Sequence, residues 1–128
     1  MSYEYVIDSY AWIEYFRGTD AGSHVRPYVE SDSAATSALT IAELKEKYLR
    51  ERWSSFEEDS SFITARTALT PVNAAIAVMA GEINHRREKI KSDWGMADSI
   101  VLTTARTASA RVVTGDPHFE GLSDALLI

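Results

Sequence analysis

The chain has 128 residues, a length that suits one domain built around one substantial core. Hydrophobic residues make up 45% and charged residues 25%, which excludes an extended disordered chain. The net charge of -6 argues against a protein that coats nucleic acid through a basic surface, and the absence of cysteine excludes disulfide, thiolate-metal and cysteine-nucleophile chemistry. No apolar run approaches the roughly 20 residues of a membrane-spanning helix. The N-terminus, Met1-Ser2-Tyr3-Glu4, lacks the basic-then-apolar pattern of a signal peptide. A soluble cytoplasmic protein with a single domain over residues 1–128 is therefore the expectation.

In chain order, Tyr3 to Ile7 reads as a short strand, and Trp12, Ile13 and Phe16 then fall at helical spacing until Gly18. A second helix is predicted over Ala21 to Glu30, with Pro27 inside it. Ala34 to Ser37 is a strand of small residues. Thr40-Ile41-Ala42-Glu43 matches a capping box that would open a helix carrying Leu44, Tyr48 and Trp53 on one side. Ser54 and Ser55, followed by Glu57 and Glu58, offer the next helix start. Thr67 to Thr70 reads as a strand, and Asn73 would cap a long helix reaching Lys91, its basic last turns matched to the helix dipole. Gly95 to Asp98 opens an apolar helix through Ile100, Val101, Leu102 and Ala105. Arg111 to Thr114 is a strand, Gly115 to His118 a turn, and Ala125 to Ile128 a last strand.

Strands alternating with helices predict an α/β fold, a three-layer α/β/α sandwich around a central, mostly parallel sheet. Right-handed crossovers bring all strand-to-helix turns to one edge of such a sheet. Asp8, Glu43, Asp98 and Asp116 each lie at a strand end or helix start, so this topology converges them on one crevice. Each also has a local reading: an N-cap for Asp8, the reciprocal capping residue for Glu43, dipole complement for Asp98, and turn chemistry for Asp116 before Pro117. Together they would repel one another unless a cation joins them, which predicts a divalent metal. Asp98 lies beside the most apolar helix face, where an unpaired carboxylate is costly, and only Lys91 is close in sequence as a cationic partner.

Val6-Ile7-Asp8-Ser9, Thr36-Ser37 leading to Ala42-Glu43-Leu44, Ala97-Asp98-Ser99-Ile100 and Val113-Thr114-Gly115-Asp116-Pro117-His118-Phe119 resemble, in that order, the motifs of PIN domains. The resemblance covers essentially the whole chain and is greatest to the compact VapC-type toxins of prokaryotic toxin–antitoxin pairs. It implies a magnesium- or manganese-dependent endoribonuclease with Asp8, Glu43, Asp98 and Asp116 as its acidic constellation, leaving a 5′-phosphate and a 3′-hydroxyl. It further implies a small antitoxin partner and a homodimer. Thr114 matches a position where such domains carry a supporting Ser or Thr, and Ser9 is a further candidate helper. Hard oxygen donors suit Mg²⁺ or Mn²⁺ on chemical grounds alone. Asp8, Asp98 and Asp116 would surround the principal ion, while Glu43 would orient water or bind a second ion. The alternatives are a PIN nuclease of RNA maturation and a non-catalytic RNA-binding or assembly module.

Two rival enzyme classes lack their residues. A haloacid-dehalogenase-type phosphotransferase needs a second Asp two residues after the first, where Tyr10 stands. A receiver domain needs an acidic pair at the first strand end and a Lys after the last. His24 and His85 have no ligand-like spacing, and His118 is expected to face solvent in its turn. Arg86 to Lys91 reads as a solvated helix end or a phosphate contact, and Lys45 to Arg52 as an exposed, salt-bridged helix face. Of Tyr10, Trp12, Tyr15 and Phe16, a candidate partner surface, Trp12 and Phe16 are expected in the core.

Overall fold

A computed structural model describes residues 2–128. Its elements are β1 (Tyr5–Ile7), α1 (Ser9–Arg17), α2 (Asp20–Val29), β2 (Ala34–Ser37), α3 (Ala38–Glu51), α4 (Phe56–Arg66), β3 (Ala68–Thr70), α5 (Ala74–Arg87), α6 (Met96–Thr107), β4 (Arg111–Thr114) and β5 (Ala125–Leu127). A 3-10 turn, Pro117–Phe119, lies between the last two strands. The strands form one sheet in the order β3-β2-β1-β4-β5, and every neighbouring pair is parallel. The expected sheet of mostly parallel strands is thus parallel throughout.

Strand periodicity explains the layering. Successive side chains point to opposite faces of a strand, so Ile7 and Val113 enter one core with Trp12, Val25, Leu44 and Ile63, contributed by α1 to α4. Val6 and Val112 enter the other with Ile83, Val101, Leu102 and Ala105, contributed by α5 and α6. These four strand residues are fully buried, each contributing about 1.5–3 kcal/mol by leaving water. Such strands read as continuous apolar runs because both faces are covered. Among the described residues no helix is long and apolar enough to cross a membrane.

Beyond shifts of one or two residues at other element ends, three boundaries differ from the sequence expectation. Ser37, not Thr40, caps α3: its Oγ accepts the Leu39 N–H at 3.2 Å. Thr40 is a fully buried residue of the first turn whose hydroxyl has no hydrogen-bond partner. The capping box is therefore absent, and the Glu43 carboxyl is free for the crevice. Helix α5 stops at Arg87, short of Lys91, and Arg87 instead stacks its guanidinium on the Trp94 ring at 4.6 Å. Trp53 lies beyond the end of α3 and packs its edge on Tyr48.

The α1–α2 pair leaves no room for a side chain at Gly22, where a Cβ would run into the Glu14 carbonyl group. Gly22→Ala should destabilise the protein by about 2–3 kcal/mol in urea unfolding. A loss under about 0.5 kcal/mol would mean that the two helices can separate without cost.

Candidate metal centre

The strand order reverses between β1 and β4, which places the turns following them side by side. The Asp8 N–H donates to the Val113 carbonyl at 3.2 Å, fixing the two strand ends together. Asp8 is the N-cap of α1, and its Oδ1 accepts the Ala11 N–H at 2.9 Å. Only 6% of the residue is exposed. Burial pushes its carboxyl pKa up to about 7; the Thr114 hydroxyl and the Ala11 N–H oppose that rise, and the charges of Asp116 and Glu43 add to it.

From α3, Glu43 reaches the same crevice. Its pKa is also raised, first by burial and then by the charges of Asp98, Asp116 and Glu46, against the lowering effect of the Ser9 hydroxyl. Asp98 sits in the first turn of α6, where its Oδ2 accepts the Gly95 N–H at 3.1 Å. Behind it, Trp94 Nε1 donates to Ser99 Oγ at 2.7 Å, and Ser99 Oγ donates to Asn84 Oδ1 at 3.0 Å, tying α6 to α5. Thr114 is fully buried at the end of β4 and accepts the Asp116 N–H at 2.9 Å. Asp116 in turn accepts the His118 N–H at 2.9 Å.

Asp8, Glu43, Asp98 and Asp116 line a crevice of about 260 Å³, together with Ser9, Tyr10, Glu46, Lys47 and Arg50. Lys47 pairs with Glu51 at 3.1 Å and Arg50 with Glu46 at 2.7 Å, so the salt-bridged face of α3 also forms part of the crevice. Tyr10 lies flat over Gly115, where any Cβ would collide with its ring. Among the described residues, Asp98, Asp116 and His118 form a group of candidate donors, one ligand atom from each lying within 4.8 Å of the others. Asp8 and Glu43 line the same crevice outside that triad.

His118 departs from the expectation of a solvent-facing turn residue. Its Nδ1 lies 3.0 Å from Asp98 Oδ2 and 3.5 Å from Asp116 Oδ1, and its Nε2 lies 2.9 Å from Asp93 Oδ2. Burial alone would lower the imidazole pKa, but hydrogen bonding to Asp98 and the charges of Asp116, Asp98 and Asp93 outweigh it and raise the pKa above the ordinary histidine value. The cause is local. Pro117 opens a 3-10 turn capped by Asp116, and the neighbouring Phe119 is buried against Trp94, which turns His118 back toward Asp98 and Asp116 at the edge of the crevice. An Asp-Pro pair followed by an anchoring aromatic was the available signal; Asp93 gave none. Lys91 is not the partner of Asp98, since its Nζ donates to the Pro117 carbonyl at 3.3 Å.

A family model for the PIN domain matches residues 5–124. A toxin–antitoxin complex from Klebsiella pneumoniae has a chain similar in structure, with a TM-score of 0.76 at 15% identity, over 96% of this chain and 96% of that one. VapBC of Salmonella typhimurium bound to DNA gives 0.73 at 18%, over 98% and 97%. VapC20 of Mycobacterium tuberculosis, a sarcin–ricin-loop-cleaving toxin, gives 0.73 at 13%, over 94% and 96%. At these identities the likeness is one of fold. No curated protein is significantly similar in sequence.

Proposed function

Because the chain belongs to the PIN domain family, we propose that it is a metal-dependent endoribonuclease acting as the toxin of a type II toxin–antitoxin pair. The observation that carries this reading is the convergence of Asp8, Glu43, Asp98 and Asp116 on one crevice from four separate elements. The donor set fits a hard divalent cation, Mg²⁺ or Mn²⁺: carboxylate oxygens dominate it, and the pKa values of Asp8 and Glu43 are raised by burial first and by the neighbouring carboxylates second, both of which a cation would offset. Asp98 and Asp116 would hold the ion, with Asp8 behind them directly or through water. When bound, the ion supplies Lewis-acid polarisation of the scissile phosphate and a lowered pKa for its water.

The chain's own groups do the rest. Glu43, on the α3 side of the crevice, orients the attacking water toward phosphorus. Thr114 holds the Asp116 backbone and Asp8 in register through its hydroxyl. Lys47 and Arg50 offer positive charge to the RNA phosphates at the crevice. The water oxygen bonds to phosphorus and releases a proton to solvent, the bond to O3′ breaks, and the departing O3′ takes a proton from solvent, leaving a 5′-phosphate and a 3′-hydroxyl. A small antitoxin would silence the enzyme by covering the crevice, and a second copy of the chain is the other proposed partner. The similar structures determined as toxin–antitoxin complexes support that assignment over a role in RNA maturation.

Cleavage of an RNA panel by the wild type and by Asp98→Asn, with Mg²⁺, Mn²⁺ or EDTA, tests the activity. The expected result is cleavage only by the wild type and only with metal. Equal cleavage by both proteins, insensitive to EDTA, would overturn the assignment; RNA retention without cleavage by either would favour a binding module.

A further inference from the structure

His118 has no part in the hydrolysis outlined above, yet it is held more firmly than a turn residue requires. Its backbone N–H is fixed by Asp116, its neighbour Phe119 is buried, and both ring nitrogens face carboxylates. The two nitrogens have different surroundings. Nε2 faces Asp93 alone, an exposed residue that does not line the crevice, whereas Nδ1 faces both Asp98 and Asp116.

An octahedral ion with donors at about 2.1 Å has neighbouring donors about 3 Å apart. The separations of Nδ1 from Asp98 Oδ2, 3.0 Å, and from Asp116 Oδ1, 3.5 Å, are close to that edge length. A ligating imidazole also characteristically gives its other N–H to a carboxylate, which selects the tautomer and directs the free lone pair at the metal. Asp93 stands 2.9 Å from Nε2, where it would do this. Nitrogen donors suit Mn²⁺ and later first-row ions, whereas Mg²⁺ is held by oxygen and water.

Building on the metal-dependent reading above, we propose that His118 ligates the cation through Nδ1, oriented by Asp93, so that the site selects Mn²⁺ over Mg²⁺. The consequence is a specificity set by a residue outside the acidic constellation, and a place for Asp93 outside the crevice itself.

Protein labelled with ¹⁵N-histidine, stripped with EDTA and loaded with MnCl₂, provides a spectroscopic readout independent of cleavage. Pulsed electron paramagnetic resonance should show a directly bonded histidine nitrogen coupled to Mn²⁺, lost in His118→Gln. Calorimetry should show Mn²⁺ bound at least about tenfold more tightly than Mg²⁺, with Asp93→Asn weakening Mn²⁺ by about tenfold and His118→Gln leaving Mg²⁺ nearly unchanged. Mn²⁺ bound in an Asp98-dependent way without nitrogen coupling would overturn the ligand assignment while leaving the nuclease reading intact. No Mn²⁺ or Mg²⁺ binding at all would overturn both. Should His118→Gln fail to fold, the double variant His24→Gln/His85→Gln, in which His118 is the remaining histidine, decides: the coupling is retained if His118 is the ligand and lost if it is not.

Discussion

Asp8→Asn is expected to make the metal-free protein harder to unfold at pH 8 while lowering RNA cleavage at least about a hundredfold. The stability half follows from proton linkage. In the unfolded chain Asp8 titrates near the ordinary 3.8, and in the folded protein near about 7, because burial disfavours its charged form. Between those values the folded state binds more protons than the unfolded state, so stability falls as pH rises from about 4 to about 7. The stabilising contribution is complete below 3.8 and absent above the folded pKa. The full gap corresponds to about 4 kcal/mol, of which an asparagine, itself polar and buried, should recover about 1–3 kcal/mol. Asn also retains an acceptor for the Ala11 N–H, so the cap on α1 survives. Urea unfolding in EDTA at pH 4 and pH 8 checks this: the variant should gain at pH 8 and match the wild type at pH 4. Added Mg²⁺ or Mn²⁺ should then stabilise the wild type more than the variant, since the ion needs the charged carboxylate. A variant less stable than the wild type at pH 8 without metal would show that the folded protein already holds Asp8 ionised favourably.

That Asp8 could be singled out from sequence at all reflects how parallel sheets convert linear order into position. The runs Tyr5-Val6-Ile7 and Arg111 to Thr114 are legible as strands because their side chains serve both faces of the sheet. Once they are parallel neighbours, Asp8 and Asp116 must lie on the same edge, whatever the intervening chain does. Asp98 is legible for a local reason, the first turn of a helix opened by Gly95. What is not legible in the sequence depends on contacts that no short window contains. Thr40 and Glu43 satisfy the capping-box pattern, yet β2 delivers the chain into α3 three residues earlier and buries Thr40. The turn at Pro117 is readable, but the direction of the His118 ring depends on Phe119 finding Trp94 and on Asp93 arriving from the loop after α5. Helix α5 ends early where Arg87 meets Trp94 across that same loop, a gain that the basic run after Arg87 does not encode.

Trp12→Ala is expected to produce the largest loss of stability, about 3–5 kcal/mol by urea unfolding. Trp12 is a fully buried residue of α1, one turn beyond Asp8, and its backbone N–H donates to the Asp8 carbonyl at 3.1 Å. The indole stacks on Phe16 at 5.4 Å and meets the edges of Tyr15 and Phe62 at 5.7 and 6.3 Å. Its Nε1 donates to Thr36 Oγ1 at 3.2 Å, Thr36 donates to Thr67 at 2.8 Å, and Thr67 donates to the Ile63 carbonyl at 2.9 Å. That directed chain links α1, β2 and α4 through groups otherwise buried without partners. Removing the ring leaves a cavity at the centre of the aromatic cluster and breaks the chain at its donor end. Against a typical domain stability of about 5–15 kcal/mol, this is a large share. Trp12→Phe separates the two contributions: it keeps most of the packing and should lose only about 1–2 kcal/mol with the hydrogen bond. Activity provides the contrast with Asp8. Trp12→Ala protein kept cold and saturated with Mn²⁺ should recover cleavage in proportion to the fraction folded, because none of its lost atoms touches the crevice, whereas Asp8→Asn should stay inactive although more stable. Loss of cleavage in a fully folded Trp12→Ala protein would instead mean that the aromatic cluster sets the position of Asp8 itself.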